Sequence, residues 1–217
     1  MREVTLLDDT RLFLHDDEML SNAIVREQDY FEREILDLLA DKYPQQDVIL
    51  DIGANIGNHT SYFAQYLEYS TIIAFEPVID NYKLLRLNSS YPNLILRNEA
   101  VGAYRGRAWM RLNPDNMGAC EVVQDKRDEE GLVPVNQVRI DDLLLLRPVT
   151  LMKIDVEWYE PEVLKGAKDI LESDKPLVLM EGAEGVYADL LPSDYELLQA
   201  WLSHKTYLFG VKETDNA

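Results

Sequence analysis

The stretch Val48–Thr60 reads VILDIGANIGNHT, and its reading decides the fold. A short apolar run ends in Asp51, and small and glycine residues follow where a helix has to begin. That is a strand, a tight turn and a helix N-terminus. Gly53 and Gly57 leave room for a ligand beside the main chain, and a helix start presents N–H groups to carboxylates or phosphates. With Ala54, Asn55 and Asn58 completing the loop, the segment forms a nucleotide-type cradle.

Spacing separates two nucleotide classes. A dinucleotide fold places G-x-G-x-x-G at this point to receive a pyrophosphate. Here the central glycine is missing and an acid sits at the strand end. Twenty-five residues beyond Asp51, the strand TIIAF ends in Glu76 and Pro77. A carboxylate there can accept two charge-assisted hydrogen bonds from ribose hydroxyls. Acids that end successive strands point to ligand binding beyond helix capping.

At 217 residues the chain suits one α/β domain with a full core. The expected division is residues 1–47, a hairpin and helix packed on the core, and residues 48–217, the nucleotide-binding unit. An apolar fraction of 47% argues against disorder. No uninterrupted apolar run approaches the roughly 20 residues that a membrane span requires. The opening MREVTLLDDTRL resembles neither a secretory signal nor a transit peptide, so a cytoplasmic location is expected. Cys120 is the only cysteine, which excludes an internal disulfide and suggests a core position. A net charge of −19 would repel a phosphate backbone, so nucleic acid is not an expected partner. The same acidity suits solubility or high intracellular salt. Composition leaves a homo-oligomer open.

Along the chain, VTLLDDTRLFL (4–14) reads as a hairpin and Glu27–Tyr43 as an amphipathic helix stopped by Pro44. On that helix Glu32 reads as an ordinary solvated acid. Thr60–Tyr69 and Asp80–Ser89 read as helices, and NLILRNEAVG as the third strand. RAWMRL and CEVV are short strands, and QDKRDEEG is a solvated charge cluster. VPVNQV runs into a cap served by Asp141 or Asp142. VTLMKI is a buried strand ending at Asp155, with Pro161 in the first turn of the next helix. PLVLME follows and ends in Glu181. Ser193–Ser203 reads as a closing helix, and TYLFGVK as the last strand.

DIGANIGNHT, AFEP, KIDVE and VLKGA, in that order, resemble the FkbM-type family of S-adenosylmethionine-dependent methyltransferases over about residues 48–182. The resemblance implies a class I methyltransferase Rossmann-like fold: a mostly parallel seven-stranded sheet, helices on both faces, and one antiparallel strand near the end. It implies S-adenosylmethionine as cofactor, with S-adenosylhomocysteine as product. Asp51, Gly53, Ala54, Asn55, Gly57, Asn58, Glu76, Pro77 and Asp155 would contact it, and Glu99 and Ala100 would meet the adenine. Tyr30, Phe31 and Glu32 resemble a segment that sits near the cofactor in the family, the alternative to the solvated-acid reading of Glu32; Tyr30 is a candidate acceptor contact, and Asn116 lies in an N-x-G-A element that approaches the acceptor. His59 is equally a base and a helix-start residue with a loop partner. The implied acceptor is a hydroxylated small molecule, above all a sugar residue of a glycan or glycolipid. Where the family reads DVEG and a small residue, this chain has Trp158 and Tyr159, two aromatics that either stack on a sugar or block the usual acceptor path.

Methyl transfer needs nucleophile, carbon and sulfur nearly in line, and alignment can contribute effective molarities on the order of 10⁵ M. A base that takes the hydroxyl proton adds about 10² to 10⁴ in rate. Ligands in open α/β sheets sit beyond the carboxyl ends of strands, so Asp155 is the first choice for that base, with Glu181 and His59 behind it. Asp155 and Glu181 could also bind a divalent metal, but no dedicated ligand spacing supports it. Rival readings are a methyltransferase for a carboxylate, amine or natural-product scaffold, a catalytically silent S-adenosylmethionine-binding protein, and a nucleotide-binding oxidoreductase, which the missing glycine disfavours.

Overall fold

The computed structural model describes residues 1–113, 120–123, 131–182 and 188–212. An antiparallel hairpin, β1 (Arg2–Thr5) and β2 (Arg11–Leu14), is followed by helices α1 (Met19–Glu27) and α2 (Arg33–Lys42). Strands and helices then alternate through β3 (Val48–Ile52), α3 (Asn58–Tyr66), β4 (Thr71–Phe75), α4 (Ile79–Asn88) and β5 (Leu94–Arg97). Next come β6 (Ala100–Val101), β7 (Gly106–Arg111), β8 (Glu121–Val123) and β9 (Leu132–Val138). The chain finishes with β10 (Val149–Ile154), α5 (Glu160–Gly166), α6 (Lys168–Ser173), β11 (Leu177–Glu181), β12 (Tyr195–Trp201) and β13 (Thr206–Val211).

The main sheet has seven strands in the order β12-β13-β11-β10-β3-β4-β5. β13 is antiparallel to both of its neighbours, and the other pairings are parallel. Every residue of β3 is buried, which explains why VILDI runs almost continuously apolar where a half-solvated strand would alternate. Its side chains still divide by face. Leu50 and Ile52 join Val163, Leu164 and Leu171 of α5 and α6 on one side, and Ile49 joins Ile24, Ile35, Leu39 and Phe63 of α1, α2 and α3 on the other. Leu12 and Leu14 of the hairpin enter that second cluster, so residues 1–47 close one face of the sheet. A separate four-stranded sheet, β6-β9-β7-β8, packs Met110 and Cys120 against Val78, beyond the end of β4.

Four expectations need correction. Ser193–Ser203 does not form a helix: Tyr195–Trp201 is the edge strand β12, paired with β13 through a register shift between Leu197 and Gln199. The helix expected over Glu27–Tyr43 is broken, because Gln28 (φ 52°) and Glu32 (φ 60°) take left-handed backbone conformations between α1 and α2. The third strand divides, with Leu94–Arg97 pairing β4 and Ala100–Val101 leaving to pair β9. Asp141 serves a distant helix: its carboxylate accepts the N–H groups of Asp169 and Ile170 at 3.2 and 3.1 Å, capping the start of α6.

Candidate functional site

The cradle is built by backbone that only certain residues tolerate. Gly53 (φ 79°), Asn55 (φ 50°) and Gly57 (φ 91°) are left-handed. A Cβ added at Gly53 would lie 1.8 Å from the carbonyl oxygen of Asp155, so the β3 loop rides directly on the end of β10. Gly53 and Ala54 donate to Phe75 O at 3.0 and 2.9 Å, and Asp155 donates to Ile52 O at 3.0 Å. These bonds lock the ends of β3, β4 and β10 into one rim. α3 starts at Gly57 without a side-chain cap, which leaves its first N–H groups to an incoming acceptor.

Glu76 stands at the tip of β4 with 5% of its surface exposed. Its Oε2 accepts the Asn55 N–H at 2.8 Å and its Oε1 the Val78 N–H at 2.7 Å. Burial outweighs both bonds and pushes its pKa up to about 7. An acid that binds its proton more tightly when folded adds stability below the unfolded pKa near 4.5, and that stability is lost as pH rises through about 7. Glu157 is shifted in the same direction. Thermal melts of Glu76→Gln from pH 4.5 to 7.5 are expected to show less decline with pH than the wild-type protein. Parallel curves would mean that Glu76 does not titrate in this range.

Beneath the cradle lies an ionic cluster. Lys153, 4% exposed, donates from Nζ to Gly53 O at 2.7 Å and stands 3.2 Å from Asp155 Oδ2 and 3.4 Å from Asp51 Oδ1. Asp51 is fully buried and accepts the Thr60 hydroxyl at 2.5 Å. Burial opposes the charge on Lys153, but Asp155 and then Asp51 outweigh it and hold the ammonium above its usual pKa. The same pairing overcomes burial at Asp155, whose pKa lies below the usual range. Asp155 also shares a hydrogen bond with Glu181 at the end of β11. Burial, and next the charge of Asp155, push Glu181 upward, so in this pair Glu181 keeps the proton and Asp155 the charge.

A second cluster crosses from α3 to the loop after α1. Glu32 Oε2 lies 3.1 Å from His59 Nε2, and Glu32 Oε1 lies 3.4 Å from His204 Nδ1 and accepts the Thr206 hydroxyl at 3.3 Å. His59 is 7% exposed. Glu32 therefore faces the cleft and is not the solvated acid that its helical surroundings suggested. The break at Gln28–Glu32 turns it out of the helix and into the cleft. Asn58 braces this arrangement, accepting the Phe31 N–H at 3.0 Å and donating to Phe31 O at 3.1 Å.

Two adjoining clefts meet here. The narrower, about 50 Å³, runs past Glu76, Pro77, Glu99 and Ala100 under Met110 and Cys120. The wider, about 340 Å³, is bounded by Glu32, His59, Glu181 and His204. Gly53, Asn55, Asp155 and Glu157 line both. Within the narrow cleft Glu99 is ion-paired with Arg97. Tyr159 also lines it, 6% exposed, with its hydroxyl donating to Gln137 Oε1 at 3.0 Å. Trp158 is 68% exposed at φ 71°, following Glu157 at φ 51°, a left-handed pair that is sterically costly for residues with side chains. Tyr30 is fully buried edge-on against Tyr62, 5.2 Å between ring centres, and lines neither cleft, so it is core and not an acceptor contact. Asn116 lies outside the described residues. Among the described residues no group of three or more His, Cys, Asp or Glu is placed to hold a metal ion, and no helix is long and apolar enough to cross a membrane.

Comparison with known proteins follows the same lines. The model of the methyltransferase FkbM domain matches residues 51–209. The hexuronic acid methyltransferase AglP of Haloferax volcanii is 28% identical over 145 residues, 65% of this chain and 59% of its own. Methyltransferase 1 of Beauveria bassiana is 29% identical over 151 residues, 58% of this chain and 61% of its own. The chain thus spans about three fifths of the length of these curated relatives. In fold, it is similar to the crystal structure of methyltransferase FkbM from Methylobacillus flagellatus, with a TM-score of 0.54 at 18% identity over 75% of this chain and 42% of that one.

Proposed function

Since the chain belongs to the FkbM methyltransferase domain family, we propose that it is an S-adenosylmethionine-dependent O-methyltransferase acting on a sugar hydroxyl. The observation that carries this reading is the position of Asp155, an ionised carboxylate on the wall common to both clefts. The narrow cleft offers what a nucleoside needs. Glu76, buried at a strand tip, can trade its two backbone donors for ribose hydroxyls, and the glycine loop with the start of α3 can receive a carboxylate.

Bound S-adenosylmethionine supplies a methyl group on a positively charged sulfur, which leaves with the carbon–sulfur electron pair as the methyl bonds to oxygen. Asp155 takes up the hydroxyl proton as the new bond forms. Lys153 keeps Asp155 ionised between turnovers, and Glu181 and His59 stand next to it for onward transfer to solvent. The sugar acceptor is supported by the name of AglP, whose own acceptor is a hexuronic acid.

Calorimetric titration separates this reading from its rivals. S-adenosylmethionine is expected to bind with a dissociation constant in the micromolar range, about −8 kcal/mol, and NAD is not expected to bind. Binding of NAD alone would end the methyltransferase reading. Incubation with a glycan panel, followed by mass spectrometry for the gain of one CH₂ per transfer, then identifies the acceptor.

A further inference from the structure

The wider cleft has a lopsided charge. Glu18, Glu32, Asp155, Glu157 and Glu181 line it, while Lys153, the only buried Lys or Arg among the described residues, is already engaged by Asp51, Asp155 and Gly53 O. The other nitrogen-bearing side chains of basic type on its wall are the exposed Lys205 and the histidines His59 and His204, both histidines lying beside Glu32. His59 Nε2 is buried and, although Glu32 is near, no acceptor is aligned for a hydrogen bond with it. The carboxylates also act on one another: besides the effect of burial, Glu181 is pushed up by Asp155, Glu32 and Glu157, and Glu157 by Asp155 and Glu160. Even with Glu181 holding its proton, Glu18, Glu32, Asp155 and Glu157 remain on the wall, and one sulfonium charge from the cofactor would not balance them. A net charge of −19 over the chain adds a field of the same sign.

We propose that the acceptor is a cationic amino alcohol, an amino sugar being the natural form, whose ammonium group sits among Glu32, Glu157 and Glu181 while its hydroxyl faces Asp155. This rests on the methyltransferase reading and gives it a substrate class. The transfer itself is unchanged: methyl passes from sulfur to oxygen, the hydroxyl proton goes to Asp155, and the amine keeps its proton. Like charges brought together in a partly desolvated cleft are strongly disfavoured, so the same cleft discriminates against a hexuronate. In this it would differ from the acceptor named for AglP.

The test uses the whole chain saturated with S-adenosylhomocysteine and titrated calorimetrically with glucosamine, glucose and glucuronate at pH 7 in low and high salt. Glucosamine is expected to bind on the order of tenfold more tightly than glucose, and glucuronate more weakly than either, with the spread narrowing as salt screens the charges. Glu157→Gln should narrow it further. Glucuronate binding as well as glucosamine overturns the proposal, and so does failure of all three sugars to bind while the nucleoside still does. In that last case the cofactor reading stands and the acceptor class falls. Failure of the nucleoside to bind removes both. If amine-bearing acceptors are methylated on nitrogen, the placement of the hydroxyl at Asp155 is wrong.

Discussion

Lys153→Met is expected to destabilise the protein by about 3–5 kcal/mol at neutral pH, the range found when one partner of a buried ion pair is removed. Methionine matches the length of the lysine stem and keeps the strand apolar, so the loss reports the ammonium group and not a cavity. With Nζ gone, Gly53 O loses its donor at 2.7 Å, and Asp51 and Asp155 face each other across a space where a cation had been 3.4 and 3.2 Å away. Asp51, fully buried, would keep the Thr60 hydroxyl but no charge partner. The penalty should shrink toward pH 5, because Asp155, no longer held ionised by Lys153, takes up a proton more readily in the folded state. Denaturant unfolding at pH 7 and pH 5 measures both numbers. Adding Asp51→Asn to Lys153→Met should recover part of the loss if the pair is coupled. A loss below about 1 kcal/mol at pH 7, or one that grows on acidification, would show that the lysine is not holding these carboxylates in place.

Lys153 also shows what the sequence could and could not reveal. VTLMKI reads as a buried strand, and a lysine inside such a strand requires a buried partner. The partner is legible only once strand order is known, because Lys153 stands beside Asp51 in the parallel register of β10 and β3. The cradle needed no such knowledge. Its glycines, the acid at each strand tip and the spacing between them are local, and the structure sets Gly53, Asn55, Glu76 and Asp155 on one rim.

The misread elements share a physical cause. In β12, YELLQAW contains Glu, Leu, Gln and Ala, residues that favour helices, yet the segment is an edge strand with Leu197 52% and Leu198 38% exposed. Pairing with β13 overrides propensity there, as it often does where a strand has one neighbour and an open face. At Gln28–Glu32 no glycine or proline announces the break. The chain enters left-handed backbone twice with ordinary side chains, and local conflict of this kind tends to gather at working sites. That break is what brings Glu32 to His59. At Trp158 the reverse holds. The related motif carries glycine where this chain has tryptophan, and the left-handed φ of 71° shows why glycine would suit the position.

Asp155→Asn is expected to lower turnover by about 10² to 10⁴ while leaving the fold intact. The substitution keeps size and planarity but removes the charge, both as proton acceptor and as the counterion nearest the expected sulfonium. Its depressed pKa makes Asp155 a weaker base than a free carboxylate, yet one that is ionised at any working pH, and a base that is always available can exceed a stronger one that is mostly protonated, as Glu181 is. Affinity for S-adenosylmethionine should fall less than turnover, since Glu76 and the glycine loop carry most of the nucleoside contacts in this reading. The two effects separate by calorimetry on the one hand and single-turnover rates on the other. If turnover is unchanged and binding intact, the proton goes elsewhere. Substitution of the two neighbours would then locate it: loss of turnover in His59→Gln assigns the base to the Glu32–His59 pair, and loss in Glu181→Gln assigns it to Glu181.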